Sequence, residues 1–346
     1  MARVLFLGGL GRSGTTLLER VLGEVPGCHA LGEVVHLWQR DVRADERCGC
    51  GVRFSTCPFW TRVGEEAFGG WDRLDVARVL RLQAAVERTR HIPRLASARL
   101  PAAMRADVVE YAGYYTAVYR AAARLTGAAV LVDSSKHSAL AHCLRWAAEP
   151  VDLRVVHVVR DPRGVAYSWT KTVARPETDG ADTMTRYSPT RSALLWTAHN
   201  AAFDLLARRD VPLRRIRYES FLADPAGSVR ALAGFAGLEL APDALSFLGD
   251  AVVELGAGHS AAGNPMRFTT GRVPLRRDDA WLDALPAAQR RLVGAVCAPL
   301  LGRYGYPLRA APASAARADR ADTPPGARRS PDALPAARQD QDPPPA

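Results

Sequence analysis

Two short segments carry residue types that bind anions. The first, Gly8-Gly9-Leu10-Gly11-Arg12-Ser13-Gly14-Thr15-Thr16, follows the apolar run Arg3 to Leu7 and leads into the helical pattern Leu17, Leu18, Val21, Leu22. Glycines let successive backbone N–H groups turn inward, and a helix N-terminus adds partial positive charge, so this turn favours a phosphate. Thr15 and Thr16 add hydroxyl donors. Against the pattern G-x-x-x-x-G-K-[ST], Gly9, Gly14 and Thr16 fit, but Thr15 stands at the lysine position. That lysine serves the β- and γ-phosphates of a triphosphate. Here Arg12 supplies the charge, which suits a ligand with one 5′-phosphate and a guanidinium close to a bridging oxygen. Magnesium is not required by such a loop.

The second segment is Arg160-Asp161-Pro162-Arg163-Gly164-Val165-Ala166-Tyr167-Ser168-Trp169, at the end of the apolar run Leu153 to Val159. Asp161 is a natural helix cap and Pro162 fits a first helical turn, so residues 162 to 173 are predicted helical. Arg160 then stands at a sheet edge with its planar fork, and Ser168 can present a hydroxyl to the same anion. The competing reading pairs Arg160 with Asp161. Two anion sites at strand ends of one sheet match a nucleotide with phosphates at both ends of its ribose.

Those residues need a scaffold. Arg3 to Leu7, Ala129 to Val132, Leu153 to Val159 and Leu213 to Tyr218 read as buried strands, each followed by a helical pattern. The alternation predicts an α/β, P-loop-like three-layer fold: a central parallel sheet with ligands bound beyond the carboxyl ends of its strands. Residues 72 to 90 and 107 to 126 read as amphipathic helices inserted between the first and second strands, placed to form a lid or acceptor pocket.

The 346 residues divide into a folded part, 1–309, and a tail, 310–346, with eight prolines and hardly a large apolar side chain, which is expected to be disordered. The tail holds five Arg and five Asp, so the net charge of +10 belongs to residues 1–309. No aromatics interleave with a basic face, which argues against nucleic acid. No apolar run reaches 18 residues, so no stable membrane insertion is expected, and the reading is a cytoplasmic protein of open oligomeric state. Cys28, Cys143 and Cys297 read as buried small hydrophobes. Cys48, Cys50 and Cys57 have metal-ligand character, but no fourth ligand stands at standard spacing, Cys28 and His29 lying far upstream; no metal ligand is assigned, and a zinc site, a disulfide and buried thiols in a local turn stay open.

The two anion segments together resemble the PAPS-dependent sulfotransferase superfamily, whose 5′-phosphosulfate loop is similar to Arg12-Ser13-Gly14-Thr15-Thr16 and whose 3′-phosphate site is similar to Arg160 through Ser168. The resemblance runs through Val132-Asp133-Ser134-Ser135-Lys136, Arg217-Tyr218-Glu219 and Gly263-Asn264-Pro265-Met266-Arg267-Phe268 to Tyr304-Gly305-Tyr306, covering residues 3 to 309. It is nearest in flavour to the bacterial branch that resembles tyrosylprotein sulfotransferases. It implies PAPS (3′-phosphoadenosine 5′-phosphosulfate) as co-substrate, Glu33 as general base, Lys136 on the bridging oxygen, Tyr218 beside adenine and Arg267 over the 3′-phosphate, with Ser260 near the sulfuryl group and Asp133 as a helix cap. His36 and His137 are competing bases. The C-terminal R-K-G triplet of the cytosolic animal enzymes is absent, and Arg272 or Arg276 could stand in for Arg267. The implied reaction is in-line transfer to a hydroxyl of a small-molecule or glycan acceptor, or of a lipid, natural product or tyrosine, with release of adenosine 3′,5′-bisphosphate. A P-loop kinase and a non-catalytic nucleotide-binding protein are the alternatives.

Overall fold

Strand β1, Arg3–Gly8, is apolar on both faces, and the sheet around it explains why. In the computed structural model, which describes residues 1–178 and 182–308, Val4 and Phe6 point into one core and Leu5 and Leu7 into another on the opposite face. Side chains alternate along a strand, so a strand covered on both faces must be apolar throughout. Among the described residues the main sheet has five strands in the order β2-β3-β1-β4-β5, with β2 Cys28–Gly32, β3 Val130–Lys136, β4 Asp152–Val159 and β5 Leu213–Arg217. All neighbours pair in parallel. The α/β architecture is as expected. The strand that sequence reading passed over is β2: it is a five-residue edge strand, Cys-His-Ala-Leu-Gly, without a β-branched residue.

That strand shifts the place of the helical insertion, which enters after β2 and returns at β3, not directly after β1. Its helices run Pro58–Phe68, Val76–Val86 and Ala102–Thr126. The second begins on Asp75, whose carboxylate accepts the Arg78 N–H at 2.8 Å. Together they bury Trp38, Trp60, Tyr111 and Tyr115 in the core that also receives Val4 and Phe6. A small antiparallel pair, Val252–Leu255 with Gly271–Pro274, frames the loop 256–270. That loop packs back onto the main sheet through a parallel bridge between Gly32 and Ala261.

The loop also changes the reading of the cysteines. Sγ of Cys57 lies 3.6 Å from Sγ of Cys48 and 3.8 Å from Sγ of Cys50, and 3.3 Å from Nδ1 of His259. A fourth ligand type does stand beside the three cysteines, supplied by tertiary packing from two hundred residues downstream, where no spacing rule would find it. The expected tail, 310–346, lies outside the described residues.

Candidate active site

The carboxyl ends of the strands open into a cavity of about 870 Å³, lined by Gly9 to Arg12, Gly14 to Leu17, Glu33, Lys136, Arg160, Ser168 and Tyr218. Three further predicted residues are elsewhere. Ser13 is buried under the loop, where its N–H donates to the Leu10 carbonyl, and its side chain does not line the cavity. Ser260 is buried, its hydroxyl bonded to Glu19 at 2.9 Å. Arg267 is 1 % exposed and turned inward, donating to the Arg47 carbonyl at 2.8 Å near Asp41. The correction has a simple cause: Asn264 caps the turn Pro265–Phe268 by accepting the Met266 N–H, which sends Asn264 and Met266 to the cavity and Arg267 beneath it. The stand-ins Arg272 and Arg276 are exposed and do not line the cavity.

The loop after β1 depends on two glycines for its backbone conformation and close packing. A Cβ at Gly9 would sit 2.4 Å from the Val158 carbonyl oxygen, and one at Gly14 would sit 2.2 Å from the Tyr218 ring, with φ of 142° and 88°. Gly14 precedes the helix Thr15–Gly23, whose first-turn N–H groups have no earlier turn to bond. Arg12 itself adopts φ 72°, a left-handed conformation that a non-glycine residue occupies at a cost of about 1–3 kcal/mol. That backbone sets the guanidinium 5.2 Å over the Trp169 ring, while Trp169 Nε1 holds the loop by donating to the Gly11 carbonyl at 3.1 Å. Among the described residues no acceptor meets the buried Nε and Nη2 of Arg12 or the buried hydroxyl of Thr15. Burial pulls the Arg12 pKa down and the charge of Glu33 counters it. A desolvated cation and a hydroxyl without protein partners at a helix N-terminus are what a bound anion would satisfy.

Arg160 is not paired with Asp161. Asp161 caps its helix, Pro162–Thr170, through the Arg163 N–H and takes the Arg163 guanidinium at 2.7 and 2.8 Å. Arg160 instead donates to the Arg12 carbonyl at 3.1 Å, lies 4.9 Å over the Tyr218 ring and approaches Asp278 at 3.7 Å. Lys171 reaches the same Asp278 at 3.0 Å, so this corner holds two cations against one carboxylate. The predicted helix end at 173 falls short: the chain leaves the helix after Thr170, and the Trp169 ring lies tilted against Tyr187, 4.4 Å between centroids. Tyr218 is wedged between Gly14 and Arg160 with its edge on the cavity, in contact with the core as well as the site.

Glu33 stands at the end of β2. Gly32 must approach the Ala261 backbone, where a Cβ would meet the carbonyl oxygen at 2.3 Å, and Gly263 must leave room for the Glu33 carboxylate, 2.7 Å from where its own Cβ would be. Lys136, at φ 67° on the bulged end of β3, donates to Glu33 Oε1. His36 lies 3.7 Å from Oε2. Burial raises the Glu33 pKa, but Lys136, His36 and Arg40 outweigh it and hold the carboxyl below the usual 4.5. His36 is pushed down to about 4, by burial first and then by His137. Burial would also lower His137, but Glu87, 2.5 Å from its Nδ1, carries it above 6.5. Glu87 is bonded in turn by Tyr111, whose hydroxyl meets that of Tyr115 at 2.8 Å. Sequence reading missed this Glu87–His137 pair, since a glutamate near the end of an amphipathic helix gives no signal of its target. Asp133 does not cap a helix; it accepts from the Ser135 N–H at 2.7 Å, the Ser135 hydroxyl and Tyr119.

Beneath Glu33 lies another residue without a sequence signal. Glu19, 1 % exposed on the helix after the phosphate loop, accepts from the Gly32 N–H, the Ser134 hydroxyl and the Ser260 hydroxyl, each at 2.9 Å. It thereby ties the ends of β2 and β3 to the loop 256–270. Burial above all raises its pKa from 4.5 to about 7, so its contribution to stability is full below 4.5 and is lost as pH rises through about 7. Glu19→Gln should remove that slope. Denaturant midpoints measured at pH steps across this range should show the variant gaining on the wild type with rising pH, by at most about 3 kcal/mol.

At the rim, Arg40 and Arg175 form a ring with Glu46 and Glu177: Arg40 meets Glu46 at 2.6 Å and Glu177 at 2.5 Å, and Arg175 meets them at 2.7 and 3.1 Å. The ring joins the insertion to the segment after the Pro162–Thr170 helix. Among the described residues no helix is long and apolar enough to cross a membrane.

A strand-loop-helix anion cradle, a second cationic corner and a buried carboxylate-lysine pair sit at one end of one parallel sheet. The family model described as "Sulfotransferase family" matches residues 5–242. The chain belongs to the sulfotransferase family of enzymes. It is 28 % identical over 169 residues to human carbohydrate sulfotransferase 6 and, over the same length, to mouse carbohydrate sulfotransferase 5. Each match takes in 45 % of this chain and 42 % of the relative, so the chain spans less than half the length of these curated relatives. Among solved structures it is similar to the sulfotransferase domain of the Synechococcus PCC 7002 olefin synthase (TM-score 0.48, 19 % identity, 89 % of this chain and 95 % of that one) and to the sulfotransferase domain of the curacin biosynthetic pathway (0.49, 16 %, 89 % and 99 %).

Proposed function

We propose that the protein transfers the sulfuryl group of PAPS to a hydroxyl acceptor and releases adenosine 3′,5′-bisphosphate. The observation that carries this reading is Arg12: a half-buried cation whose Nε and Nη2 meet no acceptor among the described residues, in a phosphate loop with threonine where a triphosphate loop has lysine. The loop and the N-terminus of the Thr15–Gly23 helix would hold the 5′-phosphosulfate. Arg160 and Ser168 would hold the 3′-phosphate, with Asp278 yielding Arg160 and Lys171 to it, and Tyr218 would border the adenine.

The acceptor hydroxyl loses its proton to Glu33 as its oxygen attacks sulfur; the bond from sulfur to the bridging oxygen breaks, and Arg12 and Lys136 offset the charge left on the phosphate. Lys136 already touches Glu33, so it links the base to the leaving-group side. Positioning and electrostatics carry the rate, without a covalent enzyme intermediate. His36, Arg40, Arg88, Thr89 and Thr183 give the open side of the cavity a polar lining, which supports a polyhydroxylated acceptor. The names of the curated relatives point to carbohydrate, with phenols and other natural products behind it. The cytoplasmic reading is part of this proposal.

Arg160→Ala tests the two-phosphate reading. A charge-assisted fork to phosphate contributes about 1.5–3 kcal/mol, so the variant should bind adenosine 3′,5′-bisphosphate roughly 10- to 150-fold more weakly by calorimetry. Binding of 5′-AMP, which lacks the 3′-phosphate, should change little. Equal losses for both ligands would place Arg160 outside the 3′-phosphate site.

A further inference from the structure

We propose that Cys48, Cys50, Cys57 and His259 form a structural zinc site that staples the helical insertion to the loop backing Glu33. The four ligand atoms lie within 4.8 Å of one another. In a tetrahedral site with Zn–S near 2.3 Å and Zn–N near 2.0 Å, ligand edges come to about 3.8 Å for S···S and about 3.5 Å for S···N. The distances found are 3.6 and 3.8 Å between Cys57 and the other two sulfurs, and 3.3 and 3.9 Å from His259 Nδ1 to Cys57 and Cys48. Three thiolates and an imidazole select a soft or borderline metal, and four protein ligands leave no open coordination position, which marks a structural rather than a catalytic site.

The backbone around the cluster is shaped for this purpose. Cys48 to Val52 form a tight knuckle, in which the Gly51 N–H donates to the Cys48 carbonyl at 2.8 Å and the Cys48 N–H to the Val52 carbonyl at 2.9 Å. Gly49 is pressed against the other half of the site: its N–H donates to the Ser260 carbonyl at 3.0 Å, and a Cβ there would lie 2.9 Å from the Gly258 carbonyl oxygen. His259 is oriented from two sides, by Trp60 Nε1 donating to its carbonyl at 2.7 Å and by the Phe59 ring stacked 5.3 Å from its own. Cys48 and Cys57 are fully buried. Cys57 begins the helix Pro58–Phe68, so both flanks of the insertion's first part are tied down.

The consequence reaches the active site. Ser260, next to His259, bonds Glu19, and the Ala262 carbonyl accepts the Glu33 N–H at 3.3 Å. A metal at the cluster would fix the loop on which the base rests without touching the reacting atoms.

The test begins with the full-length wild type, purified without chelator, and measures zinc by mass spectrometry of the metal. A stoichiometric ion is expected, released in step with thiol modification by a mercurial. Exchange into Co²⁺ should give the d–d bands of a tetrahedral site with thiolate charge transfer. Cys57→Ser and His259→Ala should each weaken metal binding at least about tenfold, whereas Cys297→Ser, outside the cluster, should leave it unchanged. The proposal is overturned if the wild type neither carries zinc nor takes up Co²⁺ with these bands, if Cys57→Ser binds the ion as tightly as the wild type, or if peptide mapping finds a Cys48–Cys57 disulfide. The wild-type measurements decide the matter even where a variant does not fold. None of these readouts depends on sulfuryl transfer, so the metal site and the proposed activity fail or stand separately.

Discussion

Glu33→Gln should lower kcat for sulfuryl transfer by about 100- to 10,000-fold, the range for loss of a general base. Glutamine keeps the shape that Gly263 accommodates, so the fold should survive and the loss should appear in rate rather than in ligand binding. The pH profile separates Glu33 from His137. A base acts when deprotonated, and Glu33 is held below 4.5 by Lys136, His36 and Arg40 against the push of burial, so the rate should not fall on an acidic limb until pH drops below 4.5. His137 is carried above 6.5 by Glu87 despite its burial, so a limb centred above 6.5 would identify His137 as the base. Bisphosphate affinity measured on the same variant checks that the cofactor cradle is intact.

Arg12→Gly should cost about 100- to 1,000-fold in kcat, as loss of one preorganised donor to a developing oxyanion does. Glycine is the informative replacement. It removes the guanidinium and also relieves the left-handed φ of 72°, so thermal stability should hold or rise while transfer collapses. Arg12→Lys should recover little, because a point charge does not reproduce the planar fork that lies over the Trp169 ring. A variant with normal rate and raised stability would place Arg12 in the backbone's service alone.

The parts of this site that were legible in the sequence are those written locally. The strand-loop-helix at residues 3 to 22 and the strand end at Arg160 are contiguous, and contiguous patterns specify their own conformation. Lys136 and Glu33 were reachable through family resemblance, although β2, the strand that positions Glu33, is a short edge strand without a β-branched residue and shows no alternating pattern. Illegible were the contacts made at long range. Glu19 reads as one more helical glutamate until Gly32, Ser134 and Ser260 converge on it. Glu87 acquires meaning only where the insertion folds back onto His137. His259 joins Cys57 across 202 positions. Arg267 shows a different limit: a basic residue in a glycine- and proline-rich loop looks exposed, while the Asn264-capped turn buries it beneath the cavity.

The central claim is that the loop and the Arg160 corner together hold a nucleotide with a 3′-phosphate and a single 5′-phosphate. Calorimetric titration of the wild type with adenosine 3′,5′-bisphosphate, in parallel with ATP and magnesium, tests it most directly. Tight, magnesium-independent binding of the bisphosphate and weak binding of ATP are expected. Preference for ATP with magnesium, or binding of neither, would contradict it.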